Sequence, residues 1–181
     1  MNLSLQDLKT PIAYWSSFLY GKVRSYAQPY VYTEFTASQV TDNLYIGDFP
    51  SACNQEELTK LGITHIVTVI VGVDEMFPDK FKYKLVDVCD NSTTDLYKYF
   101  DDCSKFIDEA IKGGGKVYIH CMAGRSRSAT ILAAYLIYKK KCTEDEAITI
   151  IKEKRDCVDP NPGFREQLKL YAEYIRNKEI P

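Results

Sequence analysis

Short apolar runs alternate with amphipathic stretches along most of the chain. The runs His65–Val71 and Val117–Ile119 are rich in β-branched residues and predict buried strands, and Tyr83–Val88 alternates in part. A further short strand is predicted to end at Gly47. Between them, apolar residues recur every three or four positions and predict helices over Gln55–Leu61, Leu96–Lys112, Ala129–Tyr138, Thr143–Lys154 and a last segment that begins at Asn161. Strands interleaved with helices predict an α/β fold in which helices cover a sheet.

The N-terminal part of the chain has a different pattern. Pro11 suits the first position of a helix, which then carries a stripe of apolar residues at helical spacing: Ile12, Trp15, Leu19 and Val23. We therefore expect an N-terminal helical extension over residues 1–35 and a main domain over residues 36–181. The stripe fits a helix that packs on its own domain, and it equally fits an arm that forms a homodimer or contacts a partner or a membrane surface.

Composition narrows the function classes. A hydrophobic content of 45% is sufficient for a core, and a net charge of −2 gives no electrostatic basis for binding nucleic acid. No apolar run approaches the ~20 residues of a membrane span, and we expect no transmembrane segment. With only two histidines and no paired C-x-x-C spacing, the sequence lacks the ligand pattern of a metal site.

The segment from His120 to Ser128 carries the chemistry. This segment lies directly between the predicted strand and a predicted helix, so that the backbone N–H groups from Cys121 to Arg127 converge on one point. Such a nest binds a phosphate ester and lowers the pKa of a cysteine. Gly124 permits a positive φ, Arg127 offers a planar fork to two phosphate oxygens, and the Ser128 hydroxyl can donate to the sulfur. The loop predicts phosphoryl transfer through a phosphocysteine.

This chemistry needs a proton donor for the leaving oxygen. His120 is a poor donor at the strand end, and we expect it to be a buried group that supports the loop. Asp95 stands at a helix N-cap position, and Asp87 lies inside a strand pattern. Asp90 lies in the open loop between them and has no structural role to explain it, so Asp90 is the predicted acid and Asp87 the second choice.

These residues resemble the dual-specificity protein phosphatases of the cysteine-dependent phosphatase superfamily. The signature His120-Cys121-x-x-Gly124-x-x-Arg127-Ser128 is accompanied by Asn43-Leu44-Tyr45-Ile46-Gly47 near the start of the domain and Pro160-Asn161-Pro162-Gly163-Phe164 near its end. The resemblance implies a central mixed, mostly parallel β-sheet flanked by helices. It covers roughly residues 36 to 176.

The resemblance also implies the roles of individual residues. Cys121 is the expected nucleophile, Arg127 binds phosphate, Asp90 is the general acid and Ser128 assists departure of the thiolate. The family uses no metal or organic cofactor. The expected substrate-binding cradle consists of the backbone N–H groups of Met122, Ala123, Gly124, Arg125, Ser126 and Arg127.

Phosphoproteins are the expected substrates, at tyrosine as well as at serine and threonine. The chain has no Trp-Pro-Asp on the acid loop and is shorter than tyrosine-specific domains, which implies a shallower cleft. The alternative is a phospholipid phosphatase of the phosphatidylglycerophosphate or phosphoinositide type, although Met122 stands where such enzymes carry lysine. A nucleophilic thiol needs reducing surroundings, so we expect a location in the cytoplasm or the nucleus. Whether Cys89 forms a redox pair with Cys121 is left open.

Overall fold

The computed structural model describes residues 14–16, 18–23 and 34–178. Within these residues there are five strands: β1 (Ser38–Thr41), β2 (Leu44–Gly47), β3 (His65–Thr68), β4 (Lys82–Leu85) and β5 (Val117–His120). They form one sheet in the order β1-β2-β5-β3-β4. The β1–β2 pair is antiparallel and the other three pairings are parallel. This confirms the expectation of a mixed, mostly parallel sheet.

Helices cover both faces of the sheet. In chain order they are α1 (Phe49–Ala52), α2 (Gln55–Lys60), α3 (Phe100–Lys112), α4 (Arg127–Lys140), α5 (Glu144–Lys152) and α6 (Pro162–Asn177). On one face α4 is the central helix, and it packs against α3, α5 and α6. Every α4 residue from Arg127 to Ile137 is buried. On the other face a smaller cluster joins Tyr45, Ile66 and Tyr118 to α1 and α2.

Element boundaries differ from the pattern where loops remain buried. The strand predicted over His65–Val71 ends at Thr68 in the structure. Ile70 and Val71 are buried in the loop that follows, which explains why the apolar run continues beyond the strand. The predicted helix from Leu96 begins as a 3₁₀ turn over Tyr97–Tyr99. Its first backbone N–H groups, those of Leu96 and Tyr97, both donate to the Gln167 side chain at 2.8 Å. The strand β1 and the short helix α1 have no clear sequence pattern.

The N-terminal segment, residues 14–16 and 18–23, is helical and contacts the main domain. Its Tyr14 hydroxyl donates to Asp87 Oδ2 at 2.8 Å. Trp15, Leu19 and Val23, however, are 59 to 64% exposed, so the predicted apolar stripe is not the face that packs on the domain. The fourth stripe residue, Ile12, lies outside the described residues. A homodimer through this stripe therefore stays a prediction.

In the part of the chain that the structure describes, no helix has both the length and the apolar character needed to cross a bilayer.

Candidate active site

The loop between β5 and α4 forms the floor of a cleft. It leaves the strand at His120 and enters the helix at Arg127, as the sequence predicts. Gly124 has a φ of +66°, and a Cβ atom there would lie 2.6 Å from the carbonyl oxygen of Gly47. Only glycine satisfies both the conformation and this close approach to the end of β2. The loop is therefore pinned against the sheet at its midpoint.

The loop carbonyl groups are turned outward. Because each outward carbonyl is held by a donor outside the loop, the N–H groups are left to face the loop centre, where an anion binds. Arg155 on the segment after α5 holds two of these carbonyls and also donates to the Thr36 carbonyl at 2.6 Å. The four bonds are Phe49 N to Met122 O (3.2 Å), Arg155 Nη2 to Ala123 O (3.2 Å), Arg155 Nε to Gly124 O (3.0 Å) and Asp159 N to Arg125 O (3.0 Å).

The thiol of Cys121 lies at the base of this loop and is 1% exposed. The Ser128 hydroxyl donates to its Sγ at 3.2 Å. Burial opposes ionisation of the thiol, but the Arg127 guanidinium, the Ser128 hydroxyl and the backbone N–H groups of Ser128 and Arg125 together lower the pKa of Cys121 below its ordinary value. Buried Cys103 shows the contrast, because burial without such donors raises its pKa to about 12. Local donors thus distinguish the two thiols.

We expect Ser128→Ala to raise the pKa of Cys121, because the thiolate loses its hydroxyl donor while the charged form stays buried. The pH dependence of Cys121 alkylation by iodoacetamide, followed by peptide mass spectrometry, measures this change. The midpoint should move to higher pH in Ser128→Ala and should not move in Ser126→Ala, whose hydroxyl contacts Asp90 instead. Equal midpoints in Ser128→Ala and the wild type would contradict this explanation of the low pKa.

Asp90 lies at the same cleft, on the loop after β4. Its Oδ1 accepts hydrogen bonds from Ser126 Oγ at 2.8 Å and from Asn161 Nδ2 at 2.9 Å. Its Oδ2 lies 3.5 Å from Arg127 Nε. Two contacts from the loop and one from Asn161 thus hold this carboxyl group beside Arg127, although its side chain remains 35% exposed. An exposed carboxylate that is nevertheless held in position suits proton transfer to a ligand in the cleft.

Arg127 completes the anion site. Its side chain is 10% exposed, and Nη1 donates to the Val88 carbonyl at 3.2 Å. Its Nε has the ion-pair contact with Asp90 but no hydrogen bond of good geometry within the described residues. A buried donor of this kind gains a partner when a phosphate oxygen enters the cleft.

The structure gives the other predicted residues different surroundings. Asp87, the second choice of acid, accepts from Gly72 N at 2.7 Å and from Tyr14 and thus joins the loop after β3 to the N-terminal segment. Asp95 accepts a long 3.4 Å hydrogen bond from Lys98 N. Arg125 is paired with Asp159 at 2.8 Å on the cleft rim.

His120 lies beneath the loop. Its Nε2 is 2.9 Å from the Thr68 hydroxyl, and complete burial lowers the pKa of His120 to about 4. The ring is therefore neutral near pH 7 and supports the strand end. The expected burial of His120 is confirmed, and its ring contacts the Thr68 side chain and the backbone of Cys121.

Two functional contacts have no clear signal in the sequence. The pattern does not distinguish Arg155, because a charged residue at a helix end is usually solvated. The pattern predicts that the last helix begins at Asn161, whose side chain does accept from Phe164 N at 3.0 Å, but its amide also donates to Asp90. Cys89 lies at the cleft and is half-buried. Among the residues described, no cluster of three or more His, Cys, Asp or Glu side chains could hold a metal ion.

A buried thiol of lowered pKa, a loop that presents N–H groups and an adjacent guanidinium define a cysteine-dependent phosphatase. Residues 44–174 match the family model described as the catalytic domain of dual specificity phosphatases. The chain belongs to this family, which confirms the predicted dual-specificity protein phosphatase.

The relatives agree with this assignment. Dual specificity protein phosphatase 1B of Arabidopsis thaliana is 42% identical over 139 residues, which are 77% of this chain and 83% of that protein. Mouse dual specificity protein phosphatase 19 is 38% identical over 71% of this chain and 58% of its own length. The crystal structure of human DUSP28 has a TM-score of 0.75 at 27% identity and covers 80% of this chain and 97% of that structure. The phospholipid alternative finds no better support among these comparisons.

Proposed function

We propose that this cleft hydrolyses phosphotyrosine and phosphoserine or phosphothreonine in proteins, with Cys121 as the nucleophile. The observation that carries the assignment is the Ser128 hydroxyl, which donates to a buried Cys121 sulfur whose pKa is lowered. A thiolate at the centre of a ring of N–H donors is both the attacking group and part of the phosphate site. Buried Cys103 lacks such surroundings, and burial raises the pKa of its thiol.

In the first step the Cys121 sulfur forms a bond to phosphorus while the bond from phosphorus to the substrate oxygen breaks. Asp90 gives its proton to that oxygen, which leaves as an alcohol or a phenol. In the second step Asp90 accepts a proton from water, the water oxygen bonds to phosphorus, and the sulfur leaves as a thiolate. Ser128 stabilises the thiolate through its hydrogen bond at this moment.

The loop stabilises the negative charge of both transition states. Arg127 offers its fork to two phosphate oxygens, and the N–H groups from Met122 to Arg127 surround the remaining oxygens. Arg155 contributes indirectly, since it keeps the Ala123 and Gly124 carbonyls turned away from the anion. When the phosphate binds, its oxygens replace Asp90 as the partner of Arg127 Nε. The Asp90 carboxyl group then lies beside the bound phosphate, where it can reach the leaving oxygen.

Phosphate release from a phosphotyrosine peptide, a phosphothreonine peptide and phosphatidylglycerophosphate, with reductant and EDTA, tests the substrate class. We expect turnover of both peptides, because the rim of the cleft offers no unpaired cation to a lipid headgroup at two positions. Arg125 is paired with Asp159, and an apolar residue, Met122, stands where a further cation would bind such a headgroup. Turnover confined to the lipid would overturn the protein assignment in favour of the alternative.

Two further expectations accompany this proposal. The exposed residues Trp15, Leu19 and Val23 support a homodimer through the N-terminal segment, which the mass of the full chain in gel filtration measures. The need for a reduced thiol supports a location in the cytoplasm or the nucleus.

A further inference from the structure

The cleft has two lobes. One lobe, of about 480 Å³, contains Cys121 and the loop N–H groups. The other, of about 400 Å³, extends towards the N-terminal segment. The two lobes share Asp90, Met122 and Arg127, so that a peptide whose phosphate lies over Cys121 reaches the second lobe with a neighbouring residue.

The walls of the second lobe come from three parts of the chain. Tyr20 and Ser16 of the N-terminal segment form one side, and Ile70 and Val71 of the loop after β3 form another. The remaining wall consists of Cys89, Asn91 and the three shared residues. Among the described residues that line this lobe, the charged side chains are those of Asp90 and Arg127, whose Oδ2 and Nε atoms lie 3.5 Å apart. The lobe therefore suits an uncharged, apolar side chain.

Close backbone packing holds the N-terminal segment against this lobe. A Cβ atom on Gly21 would lie 2.3 Å from the carbonyl oxygen of Val71, and one on Gly72 would lie 2.6 Å from the carbonyl oxygen of Phe18. Two glycines on opposite sides of the contact thus permit the approach. The hydrogen bond from Tyr14 to Asp87 and an ion pair between Lys22 and Asp74 flank it.

We propose that the second lobe is a subsite for an apolar side chain of the substrate next to the phosphorylated residue, and that Tyr20 is a specificity-determining residue. This rests on the proposed protein phosphatase function. The Tyr20 side chain is 56% exposed, so its ring is available to a substrate that enters the lobe. An aromatic ring that closes one side of an apolar lobe removes the guest side chain from water.

The experiment compares phosphotyrosine peptides with leucine or serine at the position directly before the phosphotyrosine and at the position directly after it. For the wild type, leucine at one of these positions should raise kcat/KM by about fivefold or more, mainly through a lower KM. Tyr20→Ala should abolish the preference, and Tyr20→Phe should keep it because the ring remains. Turnover of p-nitrophenyl phosphate, which does not reach the second lobe, should change by less than about twofold in both variants.

Two further variants separate a subsite from a general effect of the segment. Leu19→Ala alters an exposed side chain that does not line the lobe, and it should keep the leucine preference. Gly21→Ala leaves Tyr20 intact but forces the segment away from Val71, and it should lose the preference.

A wild type without leucine preference, or a preference that survives Tyr20→Ala, would overturn the subsite while leaving the phosphatase assignment intact. A wild type that turns over neither the peptides nor p-nitrophenyl phosphate would overturn the proposed function and the subsite with it.

Discussion

Replacing Cys121 with serine is expected to lower phosphate release from every substrate by about 10³-fold or more. The serine hydroxyl remains protonated where the thiol ionises, because the donors that lower the pKa of Cys121 cannot bring an alcohol into the same range. The substitution changes the side-chain volume little, so the thermal unfolding midpoint should stay close to that of the wild type. Steady-state phosphate release and circular dichroism measure the two quantities.

Cys157→Ser is the matched control, since Cys157 is an exposed free cysteine on the described surface. It should keep full activity. Activity that survives in a folded Cys121→Ser protein would contradict the assigned nucleophile, and loss of activity in Cys157→Ser would point to a different thiol.

Replacing Asp90 with asparagine is expected to lower kcat by about 10²- to 10³-fold for a phosphothreonine peptide. The threonine oxygen is a strongly basic leaving group and needs a proton as its bond to phosphorus breaks. Asparagine keeps the shape of the side chain and can retain contacts with Ser126 and Asn161, but it cannot transfer a proton. For p-nitrophenyl phosphate, whose leaving group is a weak base, the loss should be much smaller.

The dependence on the leaving group separates acid catalysis from disturbance of the site. A merely structural effect of Asp90→Asn would lower both rates equally. Asp87→Asn is the matched control: it alters the other carboxylate of the same loop, which the structure places against Gly72 and Tyr14. A leaving-group effect found in Asp87→Asn and absent from Asp90→Asn would reverse the assignment of the acid.

The sequence predicts well what local chain geometry determines. A β-branched run followed by Cys121, Gly124 and Arg127 contains its own strand, turn and helix start, and the structure has all three. The positive φ of Gly124 is a backbone requirement that a glycine in this position signals. The helix predicted over Thr143–Lys154 is local in the same sense, and the structure has it over Glu144–Lys152 with a capping box between Thr143 and Glu146.

Contacts between distant segments are not predictable in this way. Arg155 reaches a loop about thirty positions earlier and Thr36 much farther away, and no periodic pattern reports such a bond. Asp87 is contacted by Tyr14 and Gly72, whereas Asp90 is contacted by Ser126, Arg127 and Asn161, and these partners lie far away in the sequence. Likewise, the apolar stripe of the N-terminal segment could not reveal that a different face packs on the domain, because Gly21 makes that contact through its backbone.

Trapping of the covalent intermediate tests the central claim most directly. Wild-type protein is mixed with a phosphotyrosine peptide, quenched in acid within the first turnover and digested, and the fragments are analysed by mass spectrometry. The account predicts a phosphate bound to the fragment that contains Cys121, with none in Cys121→Ser. Phosphate on another residue would contradict it. So would the absence of phosphorylated protein when Asp90→Asn turns over p-nitrophenyl phosphate, because this leaving group needs no acid and the variant then slows the second step alone.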